Sequence, residues 1–90
     1  MKENLKTNPF LVDVRSPEEF QTGSVEGAIN IALPLIPLNL DKFEGKGDII
    51  VFCHSGGRSY QAQMYLERNG IQNVRNGGSV EDVQYFMESI

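Results

Sequence analysis

Ninety residues hold one domain, and at this length folding removes roughly 60–70% of the unfolded chain's surface from water, enough for a modest core. A formal charge of −4 with no run of Lys or Arg takes away the electrostatic basis for non-specific binding to nucleic acid or anionic lipid, so any anion site must be local. One cysteine forms no internal disulfide, the opening residues MKENLKTNPF contain no apolar h-region, and the stretch from Ala28 to Leu38 is broken by Asn30, Pro34 and Pro37; the expectation is a soluble cytoplasmic protein, or a periplasmic one if a signal peptide has been removed.

In chain order, Phe10-Leu11-Val12-Asp13-Val14 is a nearly continuous apolar run, the pattern of a strand buried on both faces of a parallel sheet. Ser16-Pro17-Glu18-Glu19 follows with an N-cap, a proline at the first helical position and Glu at the capping-box position, and Gly23 supplies a stop. Ala28-Ile29-Asn30-Ile31 reads as a second strand, and Leu35 to Phe43 as a helix starting near Pro37. After the turn Lys46-Gly47-Asp48, Ile49 to Phe52 is the most strand-like stretch of the chain. Ala62, Tyr65, Leu66 and Asn69 recur at helical spacing from about Ser59 to Gly70. Asn73 to Asn76 predicts a brief strand, Gly77-Gly78 a turn and helix entry first and space for substrate second, and Ser79 caps a last helix with Val80, Val83, Phe86, Met87 and Ile90 on one apolar face. Glu81, Asp82 and Glu88 read as its solvated side. Strands alternating with helices imply right-handed crossovers and a parallel sheet covered on both sides, an α/β fold.

Ligand sites of such sheets lie outside the carboxyl ends of the strands. Asp13-Val14-Arg15, the seven residues CHSGGRS (Cys53 to Ser59) and Asn76-Gly77-Gly78 each end a predicted strand, so the topology gathers them at one edge. In CHSGGRS, Gly56 and Gly57 permit a tight loop opening onto a helix, where successive backbone N–H groups and the helix dipole make an anion cradle. Cys53 lies at its base. A free thiol is only about 3% ionised at pH 7, and a helix N-terminus with a nearby Arg shifts that balance toward thiolate. Arg58 brings a fixed cation and a fork of donors for an anionic substrate.

Bland readings stand beside these. A lone cysteine is most often a small buried hydrophobe, although two glycines and an arginine are a poor setting for an inert thiol. His54 reads as a rim residue, since no further Cys or His completes a zinc site, and no metal or cofactor is implied. Ser55 and Ser59 either hydrogen-bond a bound anion or cap the loop and the next helix. Asp13, at the end of an apolar strand with Arg15 two residues on, reads as an acceptor that holds neighbouring loops together, in support of the site rather than within its chemistry.

LVDVRSPEEF (Leu11 to Phe20), GSVEGAINI (Gly23 to Ile31), DIIVFCHSGGRS (Asp48 to Ser59) and VRNGG (Val74 to Gly78) resemble, in the same order and over nearly the whole chain, the rhodanese-like sulfurtransferase domain in its short single-domain form. The resemblance implies that residues 1–90 are a single rhodanese-like domain with a three-layer fold, its mostly parallel sheet flanked by helices on both faces. It implies a persulfide mechanism, in which Cys53 takes sulfane sulfur from a donor such as thiosulfate and passes it to cyanide or a thiol, while the positions from His54 to Ser59 shape the substrate pocket. A thioredoxin-like or other sulfur-relay protein is a further partner, and a monomer is expected; the alternative is a persulfide carrier serving partner proteins. Related phosphatases and arsenate reductases have C-x5-R where this chain has C-x4-R, which favours sulfur. Ser24 stands where the family commonly has His, no aromatic follows the GG pair in the usual way, and the amino-terminal strand and helix are curtailed.

Overall fold

A computed structural model describes residues 8–89; Ile90 of the expected apolar face and most of the opening segment lie outside them. Four strands, β1 (Phe10–Asp13), β2 (Ile29–Asn30), β3 (Ile49–Cys53) and β4 (Val74–Ser79), pair in parallel in the order β2-β1-β3-β4. Between them come α1 (Pro17–Gln21), a 3₁₀ segment (Leu33–Phe43) and α2 (Gly57–Arg68), and α3 (Val80–Glu88) follows β4.

Because side chains alternate across a strand, β1 and β3 each serve two cores. Val12, Val14, Ile49, Val51 and Cys53 pack with Ala62 and Leu66 of α2 and with Ile36 and Phe43 of the 3₁₀ segment. Leu11, Ile50 and Phe52 pack on the other face with Val25 and with Val83 of α3. Every residue of β3 is buried, as its uninterrupted apolar run requires. The sheet is therefore covered on both sides, and the α/β fold expected from the sequence is the one observed.

Helix α1 starts where its cap predicts: Ser16 Oγ accepts from the Glu19 amide, and the Glu19 carboxylate accepts from the Ser16 amide. Ser79 and Asp82 make the same reciprocal box at the start of α3, so Asp82 is a cap rather than simply a solvated charge. On α3, Val83 is buried and Val80 and Met87 pack beside it, while Phe86 is exposed.

Three local expectations need correction. Leu33–Phe43 is 3₁₀ rather than α-helical and is interrupted at Asn39, in keeping with the short runs this geometry tolerates and with Pro34 and Pro37, which have no N–H to give. The second strand is shorter than Ala28–Ile31, spanning two residues. The Gly77-Gly78 pair is not a turn: β4 runs through it to Ser79, with Val51 opposite Asn76 and Phe52 opposite Gly78, so Gly77 is the extra residue of a bulge. A Cβ at Gly77 would lie 2.5 Å from Val83 Cγ2 and 2.8 Å from Ile50 Cγ2, which is why a residue without one occupies it.

Candidate active site

The carboxyl ends of β1, β3 and β4 bring together the three segments that the sequence placed at one edge. Strand β3 ends on Cys53, and α2 begins four residues later with Gly56 as its N-cap at φ +97°, a left-handed conformation that favours glycine. That turn folds the chain back over the thiol. The Gly56 amide donates to Cys53 Sγ at 3.0 Å and the Ser59 amide at 3.4 Å, so the first turn of α2 directs its unpaired N–H groups onto sulfur. Gly57, Arg58 and Ser59 are thus helical residues, and Ser59 does not cap α2 as the sequence allowed.

Cys53 is 1% exposed. Burial alone would disfavour its charged form; the Ser59 hydroxyl and the Ser59, Gly56 and Ser55 amides outweigh it and bring the thiol from 9.0 to about 7. Its surroundings are mixed, with apolar packing on the α2 side of the sheet and N–H donors over the sulfur.

Ser59 Oγ lies 3.4 Å from Sγ and donates to Asn76 Oδ1 at 2.6 Å. Asn76 Oδ1 also accepts from the Gly78 amide at 3.0 Å, and Asn76 Nδ2 donates to the Gly56 carbonyl at 3.0 Å. A serine hydroxyl has one proton, so Asn76 and an ionised Cys53 compete for it, whereas the two backbone amides are committed to sulfur. Asn76 ties β4 to the loop at Gly56 and to the first turn of α2 at Ser59. Its role in the loop could not be read from neighbouring residues, because Ser59 and Gly56 are 17 and 20 positions away.

Asp13 is fully buried. It accepts from the Arg15 amide at 3.0 Å, from Arg15 Nη2 at 2.7 Å and from Ser24 Oγ at 2.7 Å, while Arg15 Nη2 also donates to the Gly23 carbonyl. This is the loop-holding arrangement expected of Asp13, and Ser24 completes it. Arg58 gives its hydrogen bonds to Glu19: Nη1 and Nη2 donate to Glu19 Oε1 at 2.7 Å and Oε2 at 3.1 Å, while its charge still attracts that of Cys53. Glu19 reads from sequence as a helix cap only. The signal for its second role is topological: β1 and β3 are neighbours, so the helices that follow them start side by side. His54 and Ser55 are exposed on the rim. Among the described residues no group of three His, Cys, Asp or Glu side chains is placed to hold a metal ion, and no helix is long and apolar enough to cross a membrane.

A sequence model of the rhodanese-like domain matches residues 1–81. The chain belongs to the rhodanese-like domain family. It is 38% identical over 67 residues to a sulfurtransferase of Allochromatium vinosum, a match covering 74% of this chain and 63% of that protein. It is 36% identical over 74 residues to the thiosulfate sulfurtransferase PspE of Escherichia coli, covering 80% and 71% respectively. Among solved structures, a rhodanese with anions from E. coli superposes with a TM-score of 0.67 at 34% identity, covering 82% of this chain and 89% of that one. The rhodanese-like fold inferred from the four sequence segments is therefore the fold of the chain.

Proposed function

We propose that residues 1–90 act as one rhodanese-like domain that moves sulfane sulfur through a persulfide on Cys53. The observation that carries this reading is the pair of amides, Gly56 and Ser59, aimed at Cys53 Sγ. They favour a thiolate and serve equally well for an anionic sulfur bonded to it, so the same donors support the nucleophile and its product. With thiosulfate, the thiolate attacks the sulfane sulfur, a new S–S bond forms, and sulfite leaves with the electron pair of the broken S–S bond. Cyanide or a thiolate acceptor then attacks the terminal sulfur, giving thiocyanate or an acceptor persulfide and returning the Cys53 thiolate. No proton shuttle is needed, in keeping with His54 on the rim. Gly56, Gly57, Ser59 and the Ser55 amide form the cradle; Asp13 and Arg15 hold the edge beneath it. The A. vinosum and E. coli relatives, named as sulfurtransferases, support the reaction class.

A second reading, a persulfide carrier that exchanges sulfur with partner proteins such as a thioredoxin-like relay, is favoured by one observation. Arg58, the loop's cation, is bound to Glu19 rather than free for a small anion. The two readings share the persulfide and differ in the donor.

Incubation with thiosulfate, followed by mass spectrometry, is expected to show one added sulfur on Cys53. Cys53→Ser is expected to keep the fold and lose thiosulfate-to-cyanide transfer entirely. Transfer that survives in this variant excludes the mechanism. Loading from a protein persulfide but not from thiosulfate selects the carrier.

A further inference from the structure

We propose that Glu19 sets the charge of the sulfur donor that the Cys53 loop accepts, by neutralising Arg58, the arginine of that loop, in an ion pair. The inference deepens the persulfide reading above and rests on it.

Both branches of the Arg58 guanidinium are engaged by the two Glu19 oxygens. The carboxylate is itself held from behind, since Oε1 accepts from the Ser16 amide at 3.0 Å and from Ser16 Oγ at 3.2 Å. The helix cap thus positions Glu19 for Arg58, and little further ordering is needed to form the pair. Arg58, and after it the Ser16 donors, hold the Glu19 carboxyl down at about 2, so the pair is present at every pH where Cys53 is ionised. The neighbouring guanidinium, Arg15, is bound to Asp13 and the Gly23 carbonyl. Among the described residues, Arg15 and Arg58 at this edge therefore each have their own carboxylate.

A dianionic donor approaching the thiolate meets a cancelled charge at Arg58 and the negative charge of Cys53 itself. A neutral or singly charged donor, such as an organic persulfide, avoids most of that repulsion. The pair is 38% exposed on each side, so its contribution to folding is small, and removing the Glu19 charge changes the field at the loop more than it changes the fold. Glu19→Gln separates these functions, because a glutamine oxygen still accepts from the Ser16 amide while the negative charge is removed.

The test compares wild type and Glu19→Gln by the rates at which anionic iodoacetate and neutral iodoacetamide alkylate Cys53, at one pH above its titration, and by sulfur loading from thiosulfate. Freeing Arg58 is expected to raise the iodoacetate-to-iodoacetamide ratio about 2- to 5-fold and to lower the thiosulfate concentration needed for half-loading by a similar factor, both gains shrinking in high salt. A ratio unchanged or lowered in the folded variant overturns the role of Glu19, and leaves the persulfide reading standing if thiosulfate still loads Cys53. A raised ratio in a chain that takes sulfur from no donor keeps the charge assignment and overturns the persulfide reading instead. A Cys53 that reacts with neither reagent overturns both.

Discussion

Asp13–Arg15 and Glu19–Arg58 lie at the same edge of the sheet and have the same shortest contact, 2.7 Å, yet the side chains of the first pair are 8% and 0% exposed for Arg15 and Asp13 and those of the second are 38% exposed each. Separation does not tell them apart; depth does. A buried pair has left water at a cost of several kcal/mol per ion and depends on every hydrogen bond it makes, so Asp13 accepts from Arg15 and Ser24 together. An exposed pair keeps most of its hydration and contributes little to folding, so Glu19 can neutralise Arg58 with little effect on stability and so set how much positive charge meets what approaches Cys53. The first pair holds the platform, and the second tunes the field above it.

Removing one partner from each pair separates the two roles. Asp13→Ala strands a buried guanidinium and is expected to destabilise the fold by about 3–5 kcal/mol, read from chemical denaturation. A loss under about 1 kcal/mol would place Asp13–Arg15 in the same class as the exposed pair. Arg58→Ala is expected to change stability by less than about 1 kcal/mol. Its effect falls on the donor: with the Glu19 charge left uncancelled, the KM for thiosulfate rises while that for a neutral polysulfide changes little. An unchanged thiosulfate KM would remove Arg58 from donor binding. The smallest effect, and the sharpest, is the reagent-charge ratio in Glu19→Gln, where stability should be nearly untouched.

What the sequence made legible follows the same division between near and far. The Cys53 loop could be read because its parts are contiguous: a strand, a thiol, two glycines and the start of a helix dictate one another within a few residues. Ser16-Pro17-Glu18-Glu19 likewise announced α1, since a capping box is a four-residue device. The end of strand β4 is not legible in the sequence because Gly77-Gly78 has the local preference of a turn, and only packing against Ile50 and Val83 shows why a strand requires glycine there. The partner of Arg58 sits 39 residues away, so the sequence displayed a cation without showing that it was already bound. Asn76 was visible only as the end of a strand, and its hold on Ser59 and Gly56 exists only after the sheet has formed.

What makes Cys53 a nucleophile is that the Ser59 hydroxyl and the Ser59, Gly56 and Ser55 amides over a buried sulfur outweigh the cost of burying its charge. The pH dependence of iodoacetamide alkylation at Cys53 tests it most directly. The expected midpoint is about 7. As the sign of a lowered thiol pKa requires, the stability that wild type gains over Cys53→Ser should grow as pH rises from that midpoint toward 9.0, and disappear below it. A midpoint at or above 9.0 would show that the Ser59 hydroxyl and the loop amides do not hold a thiolate, and that the cradle over sulfur is not what activates Cys53.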